Sequence, residues 1–339
     1  MIRSNMQRFG MTGGSVLVVG GAGYIGAHMV KDLLTSGYEV VVLDDLSRGH
    51  RDLVTGGTFI QGRLGDPDLL DQLFQEHRID AVMHFAAYSL LGESMERPLD
   101  YYRNNVSQTI ELLRAMLRHQ VRRFVFSSSG AVYGEPIRIP IEEDQDRAPT
   151  NPYGVTMLAV EQALADCDQA YGLKSMSLRY FNAAGADASG LIGERHRPET
   201  HLIPSILKVA TGERERISIF GTDYPTPDGT CVCDYIHVSD LAQAHLLALE
   251  VLLNGGESAT YNLGNSRGYS VREVLELSRE VTGHPIPAVT AERRPGDHGA
   301  LVAASEKIKR ELAWRPRHDD LETIVKSAWV WHRQEAGRL

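Results

Sequence analysis

Short apolar runs alternate with helical patterns of hydrophobic residues over the first half of the chain. Six runs rich in β-branched residues predict strands at 15–20, 39–44, 58–62, 80–86, 122–129 and 174–181. Between them, apolar residues at helical spacing predict helices at 24–36, 68–77, 99–119 and 152–171. Because the strand runs are continuously apolar rather than alternating, both faces of each strand must be covered. The pattern predicts an α/β fold with a Rossmann-type, doubly wound parallel sheet, which binds ligands at the carboxyl edge of its strands.

The pattern changes after Phe181, where stretches rich in glycine, proline and aspartate separate short elements. The segment FGTDYPTPDGT at 220–230 is typical of these stretches, and helices are expected at 237–254 and 270–282. Such a composition favours a smaller C-terminal α/β domain over the open edge of the sheet, with a cleft between the two domains. The predicted division is an N-terminal extension at 1–14, a Rossmann domain at 15–182 and a substrate-binding domain at 183–339, with segments that interleave at the cleft.

Composition and charge narrow the range of partners. The 339 residues are 42% hydrophobic and 23% charged, with a formal net charge of −9, which is ordinary for a soluble protein. Since no block of lysine and arginine is present, binding to nucleic acid or to an anionic membrane is not expected. No run reaches the roughly 18 apolar residues of a membrane helix, and residues 1–14 lack an apolar core. We expect a cytoplasmic protein that binds a small molecule.

The residues that commonly bind metals do not form a recognised pattern. Cys167, Cys231 and Cys233 are too few for a disulfide framework, and a lone Cys-x-Cys pair is a poor metal site. Four further polar residues are interpreted as loop and helix-start residues rather than ligands: Glu194, Arg195, His196 and His201. No metal site is therefore expected.

A glycine-rich turn joins the first predicted strand to the first predicted helix. Gly20, Gly23 and Gly26 permit a tight turn, close approach of backbone amides to a pyrophosphate, and close packing of helix on strand. Asp44 ends the second predicted strand about 20 residues further on, where a carboxylate accepts hydrogen bonds from ribose hydroxyls. A carboxylate there repels a 2′-phosphate, so NAD is expected rather than NADP, although Arg48 nearby would favour the phosphate.

Candidate catalytic groups follow the fifth predicted strand. That strand ends in three serines at 127–129, and Asn151 and Pro152 cap and open the next helix. Tyr153 then lies in the first helical turn, where the helix dipole modestly favours a phenolate. A serine and a tyrosine placed in this way can hold and deprotonate a substrate hydroxyl while hydride passes to a nicotinamide. Taken alone, Tyr153 would more readily be interpreted as a half-buried packing residue.

Eight segments occur in the order found in UDP-glucose 4-epimerases, which are extended short-chain dehydrogenases/reductases. They are VVGGAGYIGAHMV, HFAAYSLLGES, YYRNNV, FSSSGAVYG, NPYGVTM, LRYFNAAGA, IFGTDYPTPDGTCVCDYIHVSDLAQAH and YNLGN. The chain resembles this family over about residues 15–335. PTPDGT followed by DYIHVSDLA is a much rarer signature than a glycine turn.

The resemblance implies roles for individual residues. Ser129 and Tyr153 would form the catalytic pair. The NAD site would contain Gly20, Gly23, Tyr24, Ile25, Gly26, Asp44, Phe85, Ala86, Asn105, Ser127, Tyr153 and Tyr180. The UDP-sugar would contact Ser129, Tyr153, Asn182, Leu202, Phe220, Tyr235, Arg294, Asp297 and Leu301. Phe220 would lie near the uracil, and Arg294 would grip the diphosphate with its planar guanidinium.

The resemblance also implies a reaction and an assembly. The family removes a proton and a hydride from C4 of a UDP-hexose, which gives a 4-keto sugar and NADH, and then returns the hydride to the other face. NAD would stay bound through turnover because no net redox change occurs. Family members commonly dimerise through the helices that correspond to 99–119 and 152–171, so a homodimer is expected.

The sequence departs from the family at positions that bear on the chemistry. Met157 replaces the lysine that lies one helical turn after the tyrosine. A cation about 6 Å away, at an effective dielectric near 20, would stabilise the phenolate by roughly 3 kcal/mol, or about two pKa units. Tyr153 is therefore expected to be a weaker base than its family counterpart. Four further replacements are Ser89 for a lysine, Cys233 for a diphosphate-binding arginine, Arg63 for an aspartate that contacts adenine, and Val19 for a threonine.

These departures leave two functions open. Because Ser129, Tyr153, Asn182 and Arg294 are retained, we favour an atypical UDP-hexose 4-epimerase over a catalytically impaired protein that binds NAD or a nucleotide sugar. A 4,6-dehydratase would need acidic residues after the catalytic serine, where glycine and alanine stand, and a decarboxylase would need additional cations.

Leu301 bears on the choice of sugar. It stands where glucose-only enzymes of the family carry a large aromatic residue beside the C2 substituent of the sugar. The smaller side chain predicts room for an N-acetylhexosamine or a related modified UDP-sugar. The alternative is that Leu301 only packs.

Overall fold

The structure is a computed structural model that describes residues 13–294 and 298–337. The extension predicted at 1–14 therefore lies almost wholly outside the described residues, and so does Asp297. The strands are β1 Ser15–Val19, β2 Glu39–Asp44, β3 Thr58–Gln61, β4 Ala81–His84, β5 Arg123–Ser129, β6 Lys174–Tyr180, β7 Asn182–Ala184, β8 Ile217–Phe220, β9 Val232–His237, β10 Ala259–Leu263, β11 Gly268–Ser270, β12 Ala288–Ala291 and β13 Ala300–Leu301. The helices are α1 Tyr24–Thr35, α2 Pro67–Glu76, α3 Leu91–Glu96, α4 Pro98–Tyr101, α5 Gln108–Arg118, α6 Pro152–Tyr171, α7 Leu202–Ala210, α8 Val238–Leu253, α9 Val271–Thr282, α10 Glu306–Glu311 and α11 Leu321–Ala336.

Seven parallel strands form the main sheet in the order β10-β6-β5-β4-β1-β2-β3. All six strands predicted from the sequence are present, each within two residues of its expected ends. The order reverses between β1 and β4, which is the crevice where doubly wound sheets bind dinucleotides. The prediction of a Rossmann-type α/β fold is confirmed.

Apolar layers cover both faces of this sheet, as the continuously apolar strands require. On one face α1 and α8 bury residues such as Val18, Met29 and Leu249. On the other face α2, α5 and α6 bury residues such as Leu17 and Leu112. Because apolar layers bury both faces of each strand, polar side chains are placed at the carboxyl edge of the sheet.

The sequence-based division at residue 182 requires a correction. Helix α8 packs against α1 and against β5 and β6, and β10 pairs with the outer edge of β6, so Tyr261 lies opposite Leu178. Helix α8 therefore covers the main sheet and β10 extends it, although both fall inside the range predicted for the second domain, where segments that interleave at the cleft are also expected. The physical reason is that β6 would otherwise be an edge strand with unpaired backbone groups.

The remaining elements after β6 form a smaller unit against the carboxyl edge. Strand β9 lies between β11 and β13 and also pairs with β7, while β8 pairs with β12. Helices α7, α9 and α11 bury a third apolar cluster that includes Ile206, Val274 and Ile324. Within residues 13–294 and 298–337, none of the helices has the length and hydrophobicity needed to cross a membrane.

Candidate active site

The glycine turn lies at the carboxyl end of β1 and opens α1. Gly20 has a φ of +78°, and a Cβ atom there would lie 2.6 Å from the backbone nitrogen of Ala86. A Cβ on Gly26 would overlap the carbonyl oxygen of Gly20. Within the described residues, no side chain caps α1 and no acidic side chain lies in its first turn. The free amide groups and the helix dipole at this end suit a pyrophosphate.

Asp44 ends β2 and is held against the glycine turn. Its Oδ2 accepts a hydrogen bond from the backbone N–H of Ala22 at 2.9 Å, and Oδ1 accepts from Leu46 at 2.8 Å. Burial raises the pKa of Asp44, and the two amide donors oppose that rise. Each oxygen keeps a lone pair for a ribose hydroxyl, so the geometry fits the adenosine end of a dinucleotide.

The two arginines near this carboxylate are paired elsewhere. Arg48 forms two hydrogen bonds to Glu93, at 2.8 and 2.9 Å, and its guanidinium lies 5.4 Å from the ring centre of Tyr88. Arg63, at the position of the family aspartate, is largely exposed and lies 3.7 Å from Asp45. The ion pair with Glu93 weakens the case for Arg48 as the ligand of a 2′-phosphate.

Ser129 and Tyr153 come together from β5 and from the first turn of α6. Asn151 caps this helix by accepting a hydrogen bond from Gly154 N at 2.9 Å, with Pro152 at the first helical position. Burial raises the pKa of Tyr153 above its ordinary value near 10, while a hydrogen bond with the Ser129 hydroxyl lowers it. A phenol with a raised pKa is mostly protonated at neutral pH.

Met157 lies one turn after Tyr153 and is only 1% exposed. It packs in the apolar cluster between the sheet and α6, together with residues such as Val132 and Val160. Met157 therefore contributes apolar surface beside Tyr153 and no charge.

A set of hydrogen bonds fixes the start of α6, the helix that carries Tyr153. The helix predicted at 99–119 is interrupted by a π-helical turn at Tyr102–Ser107, which carries the buried side chain of Asn105. That side chain accepts from Tyr88 N at 2.8 Å and donates to Tyr88 O and to Thr156 Oγ1, both at 3.0 Å. Thr156 in turn donates to the carbonyl oxygen of Tyr153 at 2.7 Å. Asn105 thus positions the helix that carries Tyr153.

Three of the predicted cofactor residues, Phe85, Ser127 and Tyr180, lie together at the carboxyl ends of β4, β5 and β6. The hydroxyl groups of Ser127 and Tyr180 are hydrogen-bonded at 2.9 Å. The ring of His245 on α8 lies 5.0 Å from that of Phe85 and 6.4 Å from that of Tyr180. Burial lowers the pKa of His245 to about 4, so the imidazole is neutral. Sequence reasoning missed His245, because its contacts depend on the unpredicted packing of α8 on the main sheet.

Several residues predicted to contact the UDP-sugar lie on the four-stranded sheet formed by β7, β9, β11 and β13. Asn182 on β7 lies opposite Tyr235 on β9, and its side chain donates to the carbonyl oxygen of Asp234 at 3.2 Å. Leu301 on β13 lies opposite Cys233 on β9.

The other residues predicted to contact the UDP-sugar lie outside this sheet. Phe220 ends β8, and the guanidinium of Arg294 lies 4.7 Å from its ring centre. Leu202 is the first residue of α7 and packs against the third apolar cluster. Asp297 lies outside the described residues.

One cluster of polar side chains was not expected. Glu194, His196, Glu199 and His201 bring their ligand atoms within 4.8 Å of one another. The sequence does carry a signal, because glutamate and histidine alternate as E-x-H-x-x-E-x-H within eight residues. That signal was interpreted as a loop and a helix start.

Comparison with known proteins settles the family. The model for the NAD dependent epimerase/dehydratase family matches residues 16–264. The chain belongs to this family. The UDP-glucose 4-epimerase of Halalkalibacterium halodurans is 55% identical over 320 residues, which are 94% of this chain and 96% of that protein. The resemblance to UDP-glucose 4-epimerases is thereby confirmed.

Solved structures of family members superimpose closely. A UDP-glucose 4-epimerase from Brucella ovis in complex with NAD is 46% identical with a TM-score of 0.91, and covers 93% of this chain and 97% of that one. The UDP-Glc/GlcNAc 4-epimerase from Campylobacter jejuni is 40% identical with a TM-score of 0.83, and covers 95% and 100%.

Proposed function

We propose that the protein is an NAD-dependent UDP-hexose 4-epimerase that acts through a transient 4-keto sugar. The observation that carries this proposal is the pairing of Ser129 and Tyr153 at the carboxyl edge of the sheet, beside a glycine turn and Asp44 that fit a dinucleotide. The relatives that match almost the whole chain are UDP-glucose 4-epimerases, which favours an active isomerase over a catalytically impaired binding protein.

Residues of the first domain would hold the cofactor. The amide groups at the start of α1 would bind the pyrophosphate, and Asp44 would accept from the adenosine ribose. Phe85, Ala86, Ser127 and Tyr180 would surround the nicotinamide half. When bound, NAD supplies a hydride acceptor that returns the same hydride to the sugar.

The catalytic pair would handle the proton of the sugar 4-hydroxyl. Tyr153 removes this proton as general base and returns it as general acid, and Ser129 orients the hydroxyl by hydrogen bonding. Because burial raises the pKa of Tyr153 and Met157 adds no charge, the base is poorly ionised at neutral pH. We therefore expect slow turnover that rises with pH.

The nucleotide sugar would lie across the small sheet. Phe220 and Arg294 would contact the uracil and the diphosphate, and Asn182, Leu202, Tyr235 and Asp297 would complete the contacts. Leu301 leaves more room than an aromatic ring beside the C2 substituent, so an N-acetylhexosamine would fit at least as well as glucose. The C. jejuni relative, which bears the name of a UDP-Glc/GlcNAc 4-epimerase, supports this breadth.

The same family implies a homodimer in the cytoplasm. Four large apolar side chains along the stretch 91–118 are exposed, with exposed fractions of 37% to 80%: Met95, Leu99, Tyr102 and Ile110. An exposed apolar stripe on the helices expected at the interface supports a four-helix contact with α6 of a second copy.

The direct test is turnover by purified protein without added NAD. UDP-galactose, UDP-glucose and UDP-N-acetylglucosamine are each incubated with enzyme, and products are resolved by ion-exchange chromatography. We expect all three to isomerise, with the N-acetyl sugar turned over at least as fast as UDP-glucose. Tyr153→Phe should reduce kcat about 10²- to 10⁴-fold.

Two results would count against the proposal. Bound NAD without isomerisation of any UDP-hexose would support the impaired binding protein instead. Turnover of UDP-glucose far above that of UDP-N-acetylglucosamine would show that Leu301 does not widen the specificity.

A further inference from the structure

Four potential metal ligands cluster where the chain enters α7. The ligand atoms of Glu194, His196, Glu199 and His201 all lie within 4.8 Å of one another. His196 Nδ1 lies 3.2 Å from Glu194 Oε1 and 3.7 Å from Glu199 Oε2, and His201 Nδ1 contacts Glu194 Oε1 directly. A tetrahedral ion with bonds of about 2.0–2.2 Å separates its ligand atoms by roughly 3.3–3.6 Å. The two separations of His196 Nδ1 from the carboxylates are close to this spacing, whereas His201 and Glu194 are in direct contact and would move apart to admit a small four-coordinate cation.

The carboxylate of Glu199 provides an independent observation. Its side chain is 1% exposed, and Oε1 accepts hydrogen bonds from the backbone N–H groups of Thr200 and His201 at 2.9 and 3.0 Å. These bonds fix the orientation of the carboxylate. The other oxygen, Oε2, is buried and has no hydrogen-bond donor among the residues that the structure describes. Burial of such an oxygen is costly unless a partner satisfies it, and a cation in the cluster would do so.

The charges of the cluster also suit a divalent cation, which would replace the present ion pairs of the two carboxylates with His196 and His201. The side chains of Glu194 and Glu199 are 4% and 1% exposed, so two carboxylates lie in the protein interior. Buried charges are tolerated when they are paired or coordinate a metal. Two carboxylates and two neutral imidazoles around a divalent cation have no net charge. Imidazole nitrogen and carboxylate oxygen suit Zn²⁺, and four protein ligands are typical of structural rather than catalytic zinc sites.

We propose that Glu194, His196, Glu199 and His201 bind one structural Zn²⁺ ion. This inference does not depend on the proposed epimerase activity.

The surroundings indicate what the ion would stabilise. The ring of His196 lies 6.5 Å from that of Tyr24, in the first turn of α1 beside the glycine turn. The carbonyl oxygen of Glu194 accepts from the indole of Trp331 on α11 at 3.0 Å. The next residue, Arg195, pairs with Asp52 of the main domain. The ion would hold residues 194–201 in place between the glycine turn before α1 and helix α11.

The test uses full-length protein without an affinity tag that binds metals. Elemental analysis should find one zinc ion per chain. Removal of the ion with a chelator should lower the melting temperature, and Zn²⁺ should restore it while Ca²⁺ should not. Protein loaded with Co²⁺ should show the intense visible absorption of a tetrahedral site.

Two variants, one inside the cluster and one outside it, test whether the zinc ion binds at these four residues. Glu199→Gln keeps the size of the side chain and should weaken Zn²⁺ binding more than about tenfold. His284→Asn, an exposed histidine outside the cluster, should bind zinc as the wild type does. If Glu199→Gln does not fold, metal content and the Co²⁺ spectrum of the wild type decide the matter.

The proposal is overturned by a zinc content far below one ion per chain together with a melting temperature that Zn²⁺ does not change. Equal zinc affinity of Glu199→Gln and wild type, or an octahedral Co²⁺ spectrum, would overturn it as well.

Discussion

At the residue scale, the proposed reaction depends on the acidity of Tyr153. Burial raises the pKa of its phenol, the Ser129 hydroxyl opposes this rise, and Met157, one helical turn later, offers only apolar contact. The reactive phenolate is the deprotonated form, so its population increases with pH and levels off only above the pKa. The rate should therefore climb from neutral to alkaline pH without a plateau near pH 7.

Replacement of Met157 by lysine should move this pH dependence. An ammonium about 6 Å from the phenol should lower its pKa by about two units, so kcat should reach its plateau at lower pH and be higher at pH 7. The buried position makes the ammonium costly, so the melting temperature should fall. The measurement is kcat against pH, with thermal unfolding in parallel.

Met157→Leu serves as the control, because it changes packing without adding charge. Its pH profile should match that of the wild type. If kcat of Met157→Lys depends on pH as that of the wild type does, a lysine at this position does not lower the pKa of Tyr153.

Several site residues could be predicted from the sequence because short segments fix them locally. The glycine turn follows a strand and opens a helix, and Tyr153 follows a cap and a proline, so their positions depend on few distant contacts. The cluster around Glu199 could not be predicted in the same way. Its ligand atoms converge through the conformation of an irregular loop, which hydrophobic periodicity does not specify.

At the element scale, apolar periodicity predicted the strands and helices of residues 15–181 well. It predicted one helix at 99–119, whereas the structure divides this stretch at the π-helical turn that carries Asn105. It also assigned residues 238–263 to the second domain, because the pattern of an edge strand does not reveal which sheet it joins. Tertiary pairing of β10 with β6 decides that point.

The substitution Gly26→Ala adds one methyl group and tests whether the turn before α1 needs a residue without a side chain. A Cβ on Gly26 would overlap the carbonyl oxygen of Gly20, which cannot move without opening the turn. We expect Gly26→Ala to lose most of its bound NAD and to be less stable. The measurement is NAD released per chain on denaturation.

Gly337→Ala is the matched control, since a Cβ at that position would lie 3.5 Å from its nearest neighbour among the described residues, the carbonyl oxygen of Arg333. It should retain the NAD content of the wild type. Equal NAD content in both variants would contradict the role of close backbone approach in this turn.

A buried ion pair joins the elements that carry Ser129 and Tyr153. Glu161 on α6 pairs with Arg179 on β6 at 2.5 and 2.8 Å and accepts from Ser128 on β5 at 2.6 Å. Glu161→Gln leaves the guanidinium buried without its counter-charge and should destabilise the protein by about 3–5 kcal/mol in denaturant unfolding.

The control is Glu322→Gln, which removes an exposed helical pair with Lys326. Such pairs contribute about 0–1 kcal/mol. Equal effects of the two substitutions would show that the buried pair does not hold the catalytic helix to the sheet.

At the scale of the whole molecule, the exposed stripe along 91–118 should mediate dimerisation. Leu99 and Ile110 are 80% and 37% exposed, and a charge on each would oppose apolar burial in an interface. The double variant Leu99→Glu and Ile110→Glu should be monomeric by analytical ultracentrifugation, whereas the wild type should be dimeric. Ile137→Glu, 81% exposed but outside these helices, should remain dimeric. A dimeric double variant would place the interface elsewhere.

The most direct test of the proposed reaction follows the hydrogen at C4 of the sugar. UDP-galactose deuterated at C4 is converted by enzyme without added NAD, and the product is analysed by mass spectrometry and NMR. A hydride that is removed and returned within one closed site should give UDP-glucose that retains the deuterium at C4. Absence of conversion, or product in which solvent hydrogen has replaced the deuterium, would contradict a 4-epimerase that works through retained NAD.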